Sequence, residues 1–251
     1  MRILITNDDG VYSPGIAALA QVARRFGEVR IVAPDVEMSS ASHSITASRP
    51  VTYKHTPLPG GIDAYRVNGT PGDCVMLGTT LWENVALVLS GINIGANLGN
   101  AIWHSGTLAG AKQAALLGLR GIALSAPATD RGQPDFESLK PWAVTVLERL
   151  LAMPEPCLIN VNFPAKAPRG VRWTKQSMRH YDGKVVPGQD PMGRTHYWFT
   201  VVPVEGTEEG TDRWAIEQGY VSMTPVNLDL TDHQQLEQVR SLEAWMNLKF
   251  G

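Results

Sequence analysis

The chain has few features of a secreted, membrane-spanning or nucleic-acid-binding protein. It has two cysteines in 251 residues, too few for a disulfide framework, and we expect a reducing compartment, the cytoplasm. No apolar run reaches about 18 residues and no basic segment precedes an apolar stretch near the first residue, so neither secretion nor a membrane partner is expected. The formal net charge is -2 with scattered basic residues, which disfavours long nucleic acid as a partner.

Several common nucleotide-binding and catalytic motifs are also missing. Gly91, Gly95 and Gly99 are spaced by four residues, which differs from Gly-x-Gly-x-x-Gly, and no Gly-x-x-x-x-Gly-Lys-Ser/Thr occurs. The chain has no Gly-x-Ser-x-Gly elbow either. The sequence therefore indicates neither a dinucleotide site, nor a P-loop, nor a nucleophile elbow.

Up to about residue 126, short β-branched runs alternate with helix-like segments. This pattern is typical of a mostly parallel sheet flanked by helices, so we predict the α/β class. The predicted strands are 2–6, 29–33, 85–90, 120–125 and 157–162, with extra strands within 50–67, and the predicted helices are 16–26, 106–117 and 136–152.

Beyond residue 163 the composition changes. Residues 164–213 contain much of the proline, glycine and charge, and alternate polar with aromatic positions, which is typical of β-hairpins. We predict a catalytic core at 1–163 and a second region at 164–251, with a hairpin arm, a strand at 219–224 and a helix at 232–248. Because a hairpin has little core of its own, its aromatic side chains need cover, and we expect the arm to pack on another subunit.

Two adjacent carboxylates, Asp8 and Asp9, follow the first predicted strand. Like charges this close destabilise each other unless they share a proton or a cation, and the carboxyl ends of parallel strands are where open α/β sheets bind ligands. A divalent cation would relieve the repulsion. Taken alone, Asp8-Asp9-Gly10 suits a helix cap or a turn as well as it suits a functional site; its position after the first strand favours function.

Two more polar loops follow predicted strands. Ser39 to Ser44 lie after the second strand, and Gly91 to Asn100 lie after the next, continuing to Ser105 to Thr107. Carboxylate, hydroxyl and amide oxygens favour Mg²⁺, Mn²⁺ or Ca²⁺ over zinc or copper. Two carboxylates with neutral ligands leave a bound divalent ion near local neutrality, which admits a phosphate dianion. The glycines and the helix start at Ser105 offer backbone N–H groups to that anion.

Simpler interpretations exist for several of these residues. The serine-rich loop could be a solvated loop without ligands. His43 and His104 could be acid–base groups or incidental loop histidines, and Trp103 suits a pocket wall better than a base-stacking platform. Asp190-Pro191-x-Gly193 predicts a turn.

A series of short motifs, spread in order along nearly the whole chain, closely resembles the motifs of the SurE family of survival-protein nucleotidases. The motifs that carry the resemblance are Asn7-Asp8-Asp9-Gly10, Ala33-Pro34-Asp35 with Ser39 and Ser42, Gly69-Thr70-Pro71-x-Asp73-Cys74, Ser90-Gly91-Ile92-Asn93-x-Gly95-x-Asn97-Leu98-Gly99, Ser105-Gly106-Thr107, Asp190-Pro191-x-Gly193 with Tyr197-Trp198, Gly210-Thr211-Asp212, Gly219-Tyr220-Val221-Ser222 and Asp229-Leu230-Thr231.

The resemblance implies a metal-dependent phosphatase acting on nucleoside 5′- and 3′-monophosphates, often with action on short polyphosphate. It also implies a Rossmann-like core, one Mg²⁺ or Mn²⁺ per subunit, and a homodimer or homotetramer held by exchanged C-terminal elements and the hairpin arm. The implied catalytic residues are Asp8 and Asp9; the implied metal ligands are Asp8, Asp9, Ser39 and Asn93; the implied phosphate-binding residues are Asn97, Ser105, Gly106 and Thr107.

Two positions depart from the family pattern. Ser40 stands where many relatives have glycine, and His104 stands where an aromatic residue such as tyrosine is expected. Three hypotheses stay open at this level: phosphomonoester hydrolysis, a nucleotide sensor that binds without hydrolysis, and an assembly protein with a vestigial site. For hydrolysis, either water or the Asp8 carboxylate is the nucleophile.

Overall fold

The computed structural model describes residues 1–129, 132–154, 157–178, 181–204 and 206–246. The strands are β1 (Arg2–Thr6), β2 (Glu28–Pro34), β3 (Tyr53–His55), β4 (Asp63–Val67), β5 (Val85–Ile94), β6 (Arg120–Ala126), β7 (Leu158–Asn162), β8 (Val171–Trp173), β9 (Tyr181–Gln189), β10 (Thr195–Pro203) and β11 (Val221–Pro225). The helices are α1 (Pro14–Ala23), α2 (Pro71–Leu81), α3 (Gly106–Leu116), α4 (Phe136–Leu151), α5 (Asp212–Glu217) and α6 (His233–Met246), with a 3-10 helix at Gly99–Trp103.

A nine-stranded sheet organises the molecule, in the order β3-β4-β2-β1-β5-β6-β7-β11-β8. The six strands from β4 to β7 run parallel, whereas β3 and β11 are antiparallel to their neighbours β4 and β7. The predicted mostly parallel α/β class is confirmed. Strands β8 and β11 come from the region after residue 163 and extend the same sheet, while the predicted division at that residue stays a prediction.

The alternation of apolar side chains along β1 places the core on both faces of the sheet. Ile3 and Ile5 pack with α1 and α4 on one face, and Leu4 packs with residues of α2 and α3 on the other. All three side chains are fully buried, and each contributes about 2 kcal/mol of transfer free energy. Both faces are covered by helices, which leaves the carboxyl ends of the parallel strands as the place for a site.

Helix α2 was absent from the sequence prediction although its start has a clear signal. Thr70 caps the helix and exchanges hydrogen bonds with Asp73, and Pro71 occupies the first turn. Strand β5 runs to Ile94, four residues beyond its predicted end, so Asn93 lies on the strand and pairs with Ser125 of β6.

Strands β9 and β10 pair with each other in a separate two-stranded sheet, which we call the arm (residues 181–203). The predicted turn between them is confirmed, since the Asp190 carboxylate accepts the backbone N–H groups of Met192 and Arg194. Trp198 and Phe199 on β10 are 64% and 87% exposed.

Helix α6 begins one residue later than predicted, and residues 247–248 of the predicted helix lie outside the described residues. Positions 233–240 are exposed except for Leu236. Among the described residues, no helix combines the length and the apolar character needed to cross a bilayer.

Candidate metal and phosphate site

The paired aspartates lie in a tight turn at the carboxyl end of β1. The Asn7 amide donates to the Gly10 carbonyl at 3.0 Å and closes this turn. The Val11 N–H donates to the Pro34 carbonyl at 2.8 Å, which joins the turn to the end of β2. Asp8 is 4% exposed, so the turn holds one carboxylate almost wholly out of water.

The loop after β2 passes directly beside Asp8. The Met38 N–H donates to the Asp8 backbone carbonyl at 2.7 Å. The next residue, Ser39, is exposed, and its hydroxyl donates to the Glu37 carboxylate at 2.6 Å. Ser40 has a left-handed backbone with φ 60°, a conformation that glycine adopts without steric cost. This explains why glycine would suit the position where this chain has serine.

The end of β5 approaches Asp9. The Ile94 N–H donates to the Asp9 carboxylate at 3.2 Å. The side-chain nitrogen of Asn93 donates to the Gly95 carbonyl at 2.8 Å, which leaves the amide oxygen of Asn93 as its group for a cation. Chain neighbours of Ser39 and Asn93 therefore contact the two aspartates, as expected for strand ends that meet at one edge of the sheet.

The start of α3 lies against Asp8. Ser105 caps the helix by accepting the Leu108 N–H at 3.0 Å. A Cβ added at Gly106 would lie 2.7 Å from the Cβ of Asp8 and 2.8 Å from its carboxylate, so glycine permits this close approach. The Thr107 hydroxyl donates to the Asp8 carboxylate at 2.7 Å.

Asn97 is buried beneath this helix start. Its side-chain nitrogen donates to the Ser125 hydroxyl at 2.8 Å and to the Thr107 hydroxyl at 3.3 Å. Its backbone N–H donates to the Asn162 amide oxygen at 2.8 Å, and its carbonyl accepts from the amides of Asn160 and Asn162 at 2.8 and 3.0 Å. Asn97 thus belongs to a network that holds Thr107, and through Thr107 it acts on Asp8.

A second anchor comes from the region after residue 163. The fully buried Asp212 carboxylate accepts the backbone N–H groups of Gly99, Ser177 and Arg213 at 2.7–3.0 Å. The Gln176 amide donates to the Gly99 carbonyl at 3.0 Å. These contacts fix the 3-10 helix that leads into α3, so the C-terminal region helps to place the helix start at the site.

The sequence motifs gave no role to Asn160 or Asn162, and Asp212 belongs to one of the motifs shared with the family. The Asn-x-Asn spacing at the end of β7 was the available signal, because two amides on one face of a buried strand need polar partners. For Asp212, the signal was a carboxylate in the first turn after the capping residue Thr211.

Burial and mutual repulsion both act on the aspartates. Burial is the largest influence and raises the pKa of Asp8, although the hydrogen bonds from Thr107 oppose it. Burial and the neighbouring Asp8 raise the pKa of Asp9 to about 6. The charge of Glu37 also raises the pKa of both. A bound cation would offset these penalties on the charged carboxylates.

The donor set fits a hard divalent cation. Carboxylate, hydroxyl and amide oxygens are the available groups, and these are ligands of Mg²⁺, Mn²⁺ and Ca²⁺. Within the described part of the chain, no three His, Cys, Asp or Glu side chains come together in a metal-binding group. A metal here would therefore need neutral ligands as well, which Ser39 and Asn93 can supply.

The two loop histidines have different surroundings. A ring nitrogen of His43 lies 2.9 Å from the Gln113 side-chain oxygen. His104 is exposed, and its carbonyl accepts the Ser42 N–H at 3.1 Å. The Ser42 hydroxyl also donates to the Trp103 carbonyl at 2.8 Å. These contacts tie the serine-rich loop to the segment before α3.

Comparison with known proteins shows which family the chain belongs to. The model of the family described as Survival protein SurE matches residues 3–183, which is well over half of the chain. The chain belongs to the SurE family. The resemblance seen in the sequence motifs is therefore confirmed.

Members of the SurE family resemble the chain over almost its full length. A Thermus thermophilus protein named 5′-nucleotidase SurE 1 is 47% identical, and the match covers 96% of this chain and 98% of the relative. The 5′-nucleotidase SurE of Deinococcus radiodurans is 44% identical, with 92% and 88% covered. A crystal structure of the SurE protein from Aquifex aeolicus superposes with a TM-score of 0.83 at 38% identity and covers 97% of this chain and all of that one.

Proposed function

We propose that this chain is a metal-dependent phosphomonoesterase that releases phosphate from nucleoside 5′-monophosphates, with nucleoside 3′-monophosphates and short polyphosphate as further substrates. The names of its SurE relatives support the 5′-nucleotidase activity. The observation that carries the proposal is the buried Asp8 carboxylate, which lies beside Asp9 and against the N-terminus of α3. Paired carboxylates for a cation thus adjoin N–H groups suited to an anion.

In this proposal Asp8, Asp9, Ser39 and Asn93 hold one Mg²⁺ or Mn²⁺ per subunit. Such an ion, when bound, polarises a phosphoryl oxygen and neutralises charge that develops during hydrolysis. In the same proposal, the phosphate is bound by a second set of residues, Asn97, Ser105, Gly106 and Thr107. Since the Thr107 hydroxyl and the Asn97 amide already bond within the protein, their proposed contribution is to orient the helix start and Asp8.

The two aspartates suit different tasks. Asp8 is fixed by Thr107 and almost fully buried, which suits a residue that must hold one orientation. Asp9 is partly exposed, so an attacking water can reach its carboxylate. We propose Asp9 as the proton acceptor for an attacking water, with direct attack by Asp8 as the competing mechanism.

The decisive experiment measures phosphate release from 5′-AMP, 3′-AMP and tripolyphosphate with Mg²⁺ or Mn²⁺, and again after chelation. We expect turnover with metal and its loss on chelation. Asp8→Asn should lower kcat/KM about 10³-fold, because it removes a charged ligand from the reacting centre. Asp63→Asn makes the same charge change at the start of β4. This position lies at the amino ends of the parallel strands, away from the site, and the variant should retain activity.

Wild-type turnover by Asp8→Asn would contradict the assignment of the site. A wild-type protein that binds 5′-AMP in calorimetry but releases no phosphate under any of these conditions would indicate a nucleotide sensor instead.

We also propose that the arm and α6 pack on other copies of the chain, in a homodimer or homotetramer. The exposed Trp198 and Phe199 support this, because aromatic side chains on a two-stranded sheet gain little cover from their own chain. A cytoplasmic location stays a prediction, supported by Cys74 and Cys157, neither of which forms a disulfide.

A further inference from the structure

Glu37 lies beside the proposed metal ligands, although neither the sequence motifs nor the family resemblance gave it a role. Its carboxylate accepts the Ser39 hydroxyl at 2.6 Å. Its charge also raises the pKa of both Asp8 and Asp9, so the carboxylate lies within electrostatic range of both. Glu37 therefore touches one proposed ligand and acts on two others.

The backbone fixes this arrangement. The Met38 N–H, between Glu37 and Ser39, donates to the Asp8 carbonyl at 2.7 Å. Ser40 follows with a left-handed φ of 60°, which turns the chain immediately after Ser39. The segment that contains Glu37 and Ser39 is thus attached at its middle to the aspartate turn.

A serine hydroxyl has one hydrogen and two lone pairs. When the hydrogen points to a carboxylate, the lone pairs are free to face a cation, and the oxygen gains negative charge through the charge-assisted bond. Without that acceptor, the hydroxyl can rotate and present its hydrogen to the cation. Partners of this kind orient metal ligands in many sites, and their removal typically weakens metal affinity 10- to 100-fold.

We propose that Glu37 is a positioning residue of the metal site, which acts by holding the Ser39 hydroxyl with its oxygen lone pairs toward the cation. This inference rests on the proposed metal site. It concerns a residue of this chain that does not itself bind the ion.

The test compares two uncharged variants in the metal-free protein and measures the Mn²⁺ dissociation constant by electron paramagnetic resonance. Glu37→Gln removes the charge but keeps a side-chain oxygen that can accept the Ser39 hydroxyl. Glu37→Ala removes both. We expect Glu37→Gln to weaken Mn²⁺ binding about threefold through lost charge, and Glu37→Ala to weaken it at least tenfold. Equal dissociation constants for the two variants would overturn the proposal.

The same pair in a Ser39→Ala background completes a double-mutant cycle. If Glu37 acts through the Ser39 hydroxyl, the difference between Gln and Ala at position 37 should disappear there. If the difference persists, Glu37 contacts the metal directly and the positioning role is wrong. Glu83→Ala, an exposed change just before β5, is the control for general effects and should leave Mn²⁺ affinity unchanged.

Asp8→Asn separates this inference from the metal site on which it rests. Loss of Mn²⁺ binding in Asp8→Asn, together with equal affinities for Glu37→Gln and Glu37→Ala, would retain the site and remove the role of Glu37. Unchanged Mn²⁺ binding in Asp8→Asn would remove both.

Discussion

The loops at the carboxyl ends of the strands (residues 7–10, 35–44 and 93–107, here called the rim) and the arm differ from an ordinary surface in opposite ways. In the rim, the polar side chains of Asp8, Asn97 and Thr107 are buried. In the arm, the apolar side chains of Trp198 and Phe199 are exposed. The rim loops contact one another across long sequence separations, whereas β9 and β10 pair with each other.

The rim and the arm therefore lack different partners: the rim has buried charged groups, and the arm has exposed apolar groups. Buried carboxylates with raised pKa values are stabilised by a proton or by a cation, so the rim is suited to a small ligand. Exposed aromatic side chains on a hairpin need apolar cover, so the arm is suited to a protein surface. Variants in the rim should therefore change chemistry and metal affinity, and variants in the arm should change assembly.

Among variants that leave both aspartates in place, the largest effect is expected for Gly106→Ala. The added methyl group would lie 2.7 Å from the Cβ of Asp8, so Asp8 and the start of α3 must move apart. A displacement of about 1 Å at a reacting centre costs about 10²-fold in rate, and we expect a loss of this size in kcat/KM for 5′-AMP hydrolysis. Gly183→Ala in the arm, where a Cβ meets open space, is the control; an equal loss there would contradict the comparison.

Removal of one hydroxyl at the rim should have the next largest effect. Thr107→Val keeps the shape of the side chain but leaves the Asp8 carboxylate without its 2.7 Å bond. A hydrogen bond to a charged group contributes about 1.5–3 kcal/mol, so kcat/KM should fall roughly 10- to 100-fold. Thr107→Ser retains the hydroxyl and should recover most of the activity. Steady-state kinetics of the two variants are the measurement. Equal kcat/KM values for Thr107→Val and Thr107→Ser would argue against this role of Thr107.

The pH dependence of metal affinity tests the electrostatics of the rim. The pKa of Asp9 is about 6, and a carboxylate must lose its proton to bind the ion. Mn²⁺ affinity should therefore fall about tenfold for each pH unit below about 6, as measured by calorimetry. Flat affinity between pH 5 and 7 would show that Asp9 does not bind the metal.

The raised pKa of Asp9 also makes the free energy of unfolding depend on pH. The folded metal-free chain favours the protonated Asp9, so this contribution to stability is present at acid pH and is lost as the pH rises through about 6. Urea unfolding of the metal-free protein at pH 5 and 7 should show the loss, and saturating Mn²⁺ should offset it at pH 7.

The smallest fold-change is expected for a variant of the arm, where the measured quantity is the mass in solution. Replacing Trp198 and Phe199 together by serine removes exposed apolar surface and should lower the mass in solution, by light scattering, by at least half. Hydrolysis per chain should be less affected than in the rim variants. Leu81→Ser, an exposed apolar residue at the end of α2, is the control. An unchanged mass for the arm variant would exclude the arm as an interface.

Much of the fold followed from local patterns. Strands β1, β2, β5, β6 and β7 lie where β-branched runs predicted them, because a buried parallel strand needs continuous apolar side chains. Helix α2 was not predicted because its apolar residues show little helical spacing, and its main sequence signal is the capping box of Thr70 and Asp73.

The support of the site was harder to predict. Asn162 and Asp212 bond to backbone groups of Asn97 and Gly99, which lie 65 and 113 residues away in the chain. No spacing rule connects a side chain with a backbone N–H at such a distance, because the contact exists only after the sheet has formed. The role proposed for Glu37 has the same origin, since its position near Asp9 depends on the pairing of β2 with β1.

The sequence by itself determined that two carboxylates follow an apolar strand and need a counter-charge, that neutral oxygen ligands are available after later strands, and that the chain resembles SurE proteins. The tertiary structure decided that Asp8 is buried against Gly106 and Thr107, that Asp9 faces the end of β5, and that the segment with Glu37 and Ser39 lies against Asp8. The reason is physical: charge and polarity belong to the residues, but burial and hydrogen bonding depend on which strand ends become neighbours in the sheet.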